Sequence, residues 1–162
     1  ASDGEIITDQ DIQINITDVD PEGPVFSTAS SFNADENQTD IGTVAAEDPF
    51  GSTVTFAISG ADANLISLDS STGTLTFNSA PDFETKSSYV ILVTANGSVA
   101  DSEQEITINI NNLNDNSPII TSASTFTADE NQTDAASISA SDADGDSLNF
   151  SVSGSDLSLI HI

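Results

Sequence analysis

One segment of the chain recurs at a fixed spacing, and this repetition constrains the fold more than any other feature. Phe32–Asp40 has the sequence FNADENQTD, and 94 residues later Phe126–Asp134 has the sequence FTADENQTD. The same spacing relates Ile12–Ile16 to Ile106–Ile110 without an insertion. Self-similarity at one period is the signature of tandem structural units. The chain is therefore predicted to contain successive copies of one unit.

The period divides the chain into three parts. Residues 1–20 are predicted to hold the last strand and exit linker of a preceding unit. Residues 21–114 form one complete unit, and residues 115–162 form the first part of the next. Half a unit exposes its inner face and its strand edges. We therefore expect residues 119–162 to be disordered or exchanged between chains.

The complete unit has the pattern of short strands. Ile106, Ile108 and Ile110 alternate with polar residues, which is the period of a half-buried strand. Seven strands are predicted in this unit, at residues 31–35, 42–46, 54–59, 65–68, 74–77, 88–95 and 103–111. No segment longer than a turn has helical periodicity. Seven short strands separated by polar turns favour an all-β class, an antiparallel seven-stranded Greek-key β-sandwich repeated in tandem.

The charge balance excludes several classes of partner. The chain has 27 acidic residues, one basic residue (Lys86) and a formal net charge of −26. Such a chain repels nucleic acid and anionic membrane surfaces. It has no cysteine and therefore no disulfide or thiolate site, and no apolar run long enough to insert in a bilayer. Because one lysine cannot neutralise so many carboxylates, the compensating cation must come from solution.

Four acidic clusters indicate where such a cation would bind, at Asp35–Asn37, Pro81–Glu84, Asn112–Pro118 and Asp142–Asp146. The second and fourth place two acids two residues apart, and extended backbone directs such a pair to one side. Carboxylate and carbonyl ligands without His or Cys favour Ca²⁺ over zinc, and magnesium prefers fewer protein ligands. Any one cluster on its own favours a plain polar turn, whereas the four together favour calcium.

The order and spacing of the four clusters resemble those of cadherin repeats. NLNDNSP at 112–118 is similar to the family linker DxNDNxP, and PDFE at 81–84 to its LDRE motif. Asp35–Asn37 and Asp142–Asp144 resemble its glutamate and DxD motifs. The resemblance covers essentially the whole chain. The nearly identical repeats and the scarcity of basic residues resemble the arrays of large bacterial surface adhesins.

The resemblance implies three calcium ions at the junction between successive repeats. Carried over by position, the implied ligands are Glu36, Asp82, Glu84, Asn112, Leu113 (through its carbonyl), Asn114, Asp115, Asn116, Asp142 and Asp144. Asn112 stands where the family has an Asp, and the late Asp of the second repeat falls beyond residue 162. We therefore expect one of the three sites to be weak or empty, with Asp146 as a candidate extra ligand.

The upstream junction departs further from the family pattern. Pro21 replaces the linker Asp, Phe50 replaces the second acid of the DxD motif, and Asn96 replaces the late Asp. These changes predict fewer ions and a more flexible joint there.

The function implied is that of a calcium-binding repeat in an extracellular or cell-surface adhesin, acting in cell adhesion or as a calcium-rigidified spacer. Its partners would be neighbouring repeats of the same chain and a homophilic copy, another surface protein or a glycan. The alternative is a carbohydrate-binding module of a secreted protein, which would need exposed aromatic rings, and this chain has no Trp and one Tyr. An enzyme is not expected, because the acids lie at unit junctions and no nucleophile motif is present.

Overall fold

This computed structural model describes residues 10–16 and 22–155, and within them it is almost entirely β structure. The strands are β1 Val25–Phe26, β2 Ser31–Asp35, β3 Asp40–Thr43, β4 Ala46–Glu47, β5 Thr55–Ser59, β6 Ile66–Leu68, β7 Thr74–Phe77, β8 Ser88–Asn96, β9 Asp101–Asn111, β10 Ile119–Ile120 and β11 Ala140–Ser141. The helical structure in the described residues is one 3₁₀ turn, Ala63–Leu65. No helix in the described part of the chain could cross a membrane. The predicted all-β sandwich class is confirmed.

Two sheets form the sandwich, one in the order β2-β9-β8-β5 and the other in the order β3-β7-β6. β8 and β9 pair antiparallel from Ser88↔Asn109 to Asn96↔Asp101. β2 and β9 pair parallel, from Ser31↔Thr107 to Asp35↔Asn111, so the predicted antiparallel arrangement is corrected at this one pair. A parallel pair needs a long connection, and nearly the whole unit lies between these two strands.

The core lies between the two sheets and follows from alternation along the strands. Ile91 and Val93 of β8, Ile106 and Ile108 of β9, and Leu75 of β7 have no exposed surface. Each such aliphatic side chain stabilises the fold by about 1.5–3 kcal/mol when it leaves water. The long strands β8 and β9 therefore fix the position of everything attached to their ends.

The predicted strand boundaries are met closely, with two differences. The predicted strand 42–46 divides into β3 and β4, because a β-bulge follows Asp40 and the Val44 N–H bonds to the Gly73 carbonyl at 2.9 Å. β1 was not predicted, since two residues carry no periodic signal. β1 is held against β4 in the register Val25↔Glu47.

The second copy repeats this small ribbon and little else. β10 pairs with β11 in the register Ile119↔Ser141, which is the β1–β4 register moved by 94 residues. Other residues between 121 and 155 form no strand. Gln10–Ile16 has no regular secondary structure, and the remainder of the first 20 residues lies outside the described part. The assignment of these end segments to neighbouring repeats stays a prediction.

Candidate metal site

Glu36 links three segments of the chain. It follows β2 directly, and the parallel pairing of β2 with β9 carries it to the end of β9, where its N–H bonds to the Asn111 carbonyl at 3.2 Å. Its side chain is 2% exposed. Oε1 accepts the N–H of Leu113 at 2.8 Å, and Oε2 accepts the N–H of Phe83 at 2.9 Å. A buried carboxylate satisfied in this way holds the linker and the 81–85 turn together.

Asp82 and Glu84 lie in the 81–85 turn that follows β7, and the Asp82 carboxylate accepts hydrogen bonds within that turn. Asp82 Oδ1 accepts the N–H groups of Glu84 and Thr85, and Oδ2 accepts the Thr85 hydroxyl at 2.8 Å. The Thr85 hydroxyl holds the pKa of Asp82 below its usual value. Residues 83–85 form a turn rather than the extended backbone expected, and the Asp82 and Glu84 side chains still lie close enough to interact.

Three asparagines of the linker bind the 142–146 loop of the second copy. The Asn112 amide donates to the Asp144 carbonyl at 3.0 Å, and the Asn116 amide donates to Asp144 Oδ1 at 3.0 Å. The Asn114 amide donates to a carboxylate oxygen of Asp146. These amides fix the linker against the second copy.

The 142–146 loop is a turn stabilised by its first residue. Asp142 Oδ1 accepts the N–H of Asp144 at 3.0 Å and of Asp146 at 3.4 Å. This geometry turns the Asp144 carboxylate toward the linker, where Oδ2 accepts the N–H groups of Asp115 and Asn116 at 3.2 and 2.9 Å. The pKa of Asp144 is lowered, chiefly by the hydrogen bond from the side-chain amide of Asn116.

Four acids from four segments meet at this junction, and we call them the carboxylate cluster. One oxygen from each lies within 4.8 Å of the others; the members are Glu36, Glu84, Asp115 and Asp144. Partial desolvation, followed by the charge of Glu36, raises the pKa of Glu84. Such closely placed like charges are unfavourable without a cation.

Lys86, the single lysine, forms its ion pair with an acid outside the carboxylate cluster. Lys86 Nζ forms an ion pair with Asp62, a buried carboxylate that also accepts the Val90 N–H at 2.8 Å. The same ammonium lies 4.7 Å from the centre of the Tyr89 ring. The pKa of Asp62 is lowered, chiefly by the hydrogen bond from Lys86. Lys86 therefore stabilises the loop before β6, away from the junction.

The cluster fits a hard cation by chemistry and by size. Calcium binds oxygen ligands at about 2.3–2.6 Å, so two ligands on opposite sides of one ion are separated by about 5 Å. The four carboxylate oxygens lie within that limit. An all-oxygen set without nitrogen or sulfur suits calcium rather than zinc. The Asn116 side chain lies within one hydrogen bond of the cluster, because its amide donates to Asp115 Oδ1 and to Asp144 Oδ1.

The ten predicted ligands thus fall into three groups. Four form the carboxylate cluster. Asn112, Asn114 and Asn116 join the linker to the second copy through their amides, and Leu113 contributes its N–H to Glu36. Asp82 and Asp142 accept hydrogen bonds within their own turns.

Asn37 belongs to the first acidic cluster but was not among the predicted ligands. Its amide donates to Asp115 Oδ2, and its φ of 65° is the left-handed conformation that Asn tolerates. Asn131, 94 residues later, has the same φ. The signal that could have revealed it is the repetition of Asp-Glu-Asn in both copies.

The upstream loop has the same turn with different side chains. Asp48 is 7% exposed, and its Oδ1 accepts the N–H groups of Phe50 and Ser52 at 2.9 and 3.2 Å. The Asn96 amide donates to the Thr55 carbonyl at 3.1 Å. Within residues 10–16 and 22–155, no second group of three acidic or histidine side chains comes as close together. Residues 17–21 of the upstream linker lie outside the described part, so the lower ion count there stays a prediction.

Comparison with known proteins identifies the fold. Human protocadherin-24 EC1-2 superposes with a TM-score of 0.63 at 21% identity, covering 75% of this chain and 60% of that structure. Protocadherin gamma B2 extracellular cadherin domains 3-6 give 0.65 at 23% identity, covering 79% and 37%. Human CDH23 EC21-23 gives 0.60 at 26% identity, covering 80% and 46%. The chain therefore spans 60% or less of these structures. No family model and no curated protein matches the sequence.

Proposed function

We propose that this chain, which has the fold of cadherin repeats, is a calcium-binding repeat module of an extracellular adhesin. The carboxylate cluster is the observation that carries the proposal. Its acids come from the ends of separate segments, after β2, in the 81–85 turn, in the linker and in the second copy. A cation bound there would connect two repeats and the linker that joins them.

The proposed ligand set has the cluster at its centre. Glu36, Glu84, Asp115 and Asp144 would bind the ion directly. Asn116 donates a hydrogen bond to Asp115, and Asn114 donates one to Asp146 of the 142–146 loop. Asp82, Asp142, Asn112 and the Leu113 carbonyl complete the set that the family resemblance implies. Their present hydrogen bonds are local, and we propose that they serve further ions at the same junction.

The mechanical role follows from the charges. Without a cation, the carboxylates of Glu36 and Glu84 repel that of Asp144 and oppose close approach of the 142–146 loop to the first copy. With a cation, the folded state is stabilised by mass action. Extracellular modules bind calcium with dissociation constants of about 10⁻⁴–10⁻³ M. We propose that the junction is stiff at millimolar calcium and flexible below it, as a spacer in an adhesin requires.

The proposed location is the cell surface or the extracellular space, in line with the extracellular cadherin domains among the structural neighbours. The proposed partners are neighbouring repeats of the same chain and a homophilic or other surface protein. The structural neighbours give no support to the glycan partner or to the carbohydrate-binding alternative. We propose no enzymatic role.

Thermal unfolding and small-angle scattering test the proposal. We expect calcium to raise the melting temperature and to narrow the range of shapes, and excess EDTA to reverse both changes. Magnesium at the same concentration is the control for ionic strength and should have a much smaller effect. A melting temperature and scattering profile that are identical in calcium and in EDTA would refute the calcium role.

A further inference from the structure

Glu84 is an exposed member of the carboxylate cluster, so its place there depends on the backbone of the 81–85 turn. The turn is closed by two hydrogen bonds to one carbonyl. The N–H groups of Thr85 and Lys86 donate to the Asp82 carbonyl at 3.2 and 2.9 Å. Lys86 therefore belongs to the same hydrogen-bonded unit as Glu84, and a displacement of one displaces the other.

The Lys86 side chain connects this turn to the body of the sandwich. Its Nζ forms an ion pair with Asp62 Oδ1 and lies 4.7 Å from the centre of the Tyr89 ring. Asp62 is 8% exposed, and its Oδ2 accepts the Val90 N–H at 2.8 Å. The Tyr89 ring packs against the Phe77 ring, with the ring centres 5.0 Å apart. Both groups that hold the ammonium are thus fixed by strands of the sandwich.

The turn needs an anchor because the acid that it carries is repelled by its neighbours. Glu84 lies with three other carboxylates, and like charges at this separation oppose each other in the absence of a cation. On the N-terminal side of Glu84, the Phe83 N–H is bound to Glu36 Oε2 at 2.9 Å. On its C-terminal side, the Lys86–Asp62 pair connects the turn to the loop before β6. The two contacts hold the turn on both sides of Glu84.

We propose that Lys86 is a positioning residue for the calcium site, acting through its ion pair with Asp62 and the backbone of the 81–85 turn. This role presupposes the proposed calcium binding by the carboxylate cluster. The ion pair keeps Glu84 beside the other carboxylates before the ion arrives. Less of the site then remains to be ordered on binding, which raises the affinity.

The charge of Lys86 acts on calcium in the opposite direction. A positive charge repels a cation through space, so on electrostatic grounds alone the removal of Lys86 would strengthen calcium binding. Loss of positioning weakens calcium binding. The direction of the change therefore separates the two effects.

Isothermal titration calorimetry of the whole chain measures this direction. We expect Lys86→Met to weaken calcium binding about fivefold, which corresponds to about 1 kcal/mol. Lys86→Arg keeps a cation that can pair with the same carboxylate and should retain most of the affinity. Asn64→Asp is the control for net charge, because Asn64 is exposed in the neighbouring 3₁₀ turn and the ion pair stays in place. It should bind calcium no more weakly than the wild type.

The double variant Asp62→Asn with Lys86→Met removes the ion pair without changing the net charge. It also avoids the cost of a buried carboxylate that has lost its partner. We expect it to bind calcium about as weakly as Lys86→Met alone, because both lack the same connection.

Amide hydrogen exchange in EDTA, followed by NMR, tests the positioning without calcium. We expect the Phe83 N–H, which donates to Glu36, to exchange faster in the double variant than in the wild type. The amides of Ile91 and Ile106, which pair across the centre of β8 and β9, should stay equally protected.

Calcium binding by the double variant that is as tight as that of the wild type would overturn the role of Lys86. Unchanged exchange at Phe83 in EDTA would do so as well, and faster exchange throughout β8 and β9 would mean that the pair only stabilises the whole fold. A wild-type chain that binds no calcium would refute the proposed function itself, whereas wild-type binding with unaffected variants refutes the positioning role alone.

Discussion

One identical heptapeptide, ADENQTD, occurs in both copies and has two different environments. In the first copy, at Ala34–Asp40, it ends β2 and buries Glu36 to 2% exposure. In the second copy, at Ala128–Asp134, it forms no strand and Glu130 is exposed. The turn within it is the same, because Asn37 and Asn131 both have a φ of 65°. The heptapeptide therefore encodes the turn, while the strands beside it decide burial.

The loops at Asp48 and Asp142 show the converse, with different sequences and one backbone. Both aspartates accept the N–H groups of the residues two and four positions later. Gly51 and Gly145 both have a φ of 79°. The third position of the loop is Phe50 in one copy and Asp144 in the other. The same turn therefore places an acid, Asp144, in the carboxylate cluster in the downstream loop. The upstream loop has an aromatic residue, Phe50, at the equivalent position.

The largest expected effect comes from changing the same residue of the heptapeptide in each copy. Glu36→Ala removes the acceptor for two backbone N–H groups, of Phe83 and Leu113. Leaving them without a partner should cost about 2–4 kcal/mol in the free energy of unfolding. Glu130→Ala, at the exposed copy, should change it by less than about 0.5 kcal/mol. Urea denaturation in EDTA measures both, and equal losses would mean that the two environments do not differ.

The next effect concerns the third position of the two loops. Asp144→Asn keeps the size of the side chain and removes one charge from the carboxylate cluster. We expect about tenfold weaker calcium binding, equivalent to about 1.4 kcal/mol. Isothermal titration calorimetry measures it, with Asp134→Asn as a control of equal charge outside the cluster.

The upstream loop supplies the reciprocal change, Phe50→Asp. We expect it to leave calcium binding at the downstream junction unchanged, because Phe50 lies on the other loop. If Asp144→Asn and Asp134→Asn weaken binding equally, calcium responds to overall charge rather than to the cluster.

The sequence predicts the strands well where burial on one face imposes a clear period. β2 and β7 lie where predicted, and β8 and β9 differ by one or two residues, because the buried side chains of these strands are hydrophobic. The division at Val44 depends on the distant Gly73 carbonyl, and the parallel β2–β9 pair depends on topology. The alternation of apolar and polar residues along a strand predicts neither the division at Val44 nor the parallel pair.

The sequence predicts which acidic segments lie close together better than it predicts the contacts that each side chain makes. Motif order brings the cluster acids to one junction, as Glu36 and Asp144 illustrate. The hydrogen bonds of Asp82 were not predictable from spacing, because its carboxylate accepts the Thr85 hydroxyl and N–H as well as lying beside the Glu84 side chain. Asx turns compete for carboxylates at the positions that also suit a metal.

The smallest expected effect is also the one whose sign should reverse. Glu84 has a raised pKa because partial desolvation and Glu36 disfavour its charge. A group of this kind lowers stability as the pH rises through its folded-state pKa. In EDTA at neutral pH, Glu84→Gln should therefore raise the urea concentration at the midpoint of unfolding. The increase should be small, because solvent screens the charge of an exposed side chain. In saturating calcium the same change removes a ligand and should lower the midpoint below that of the wild type. Midpoints in the same order under both conditions would mean that Glu84 does not bind the ion, and that the cluster acids lie together for hydrogen bonding alone.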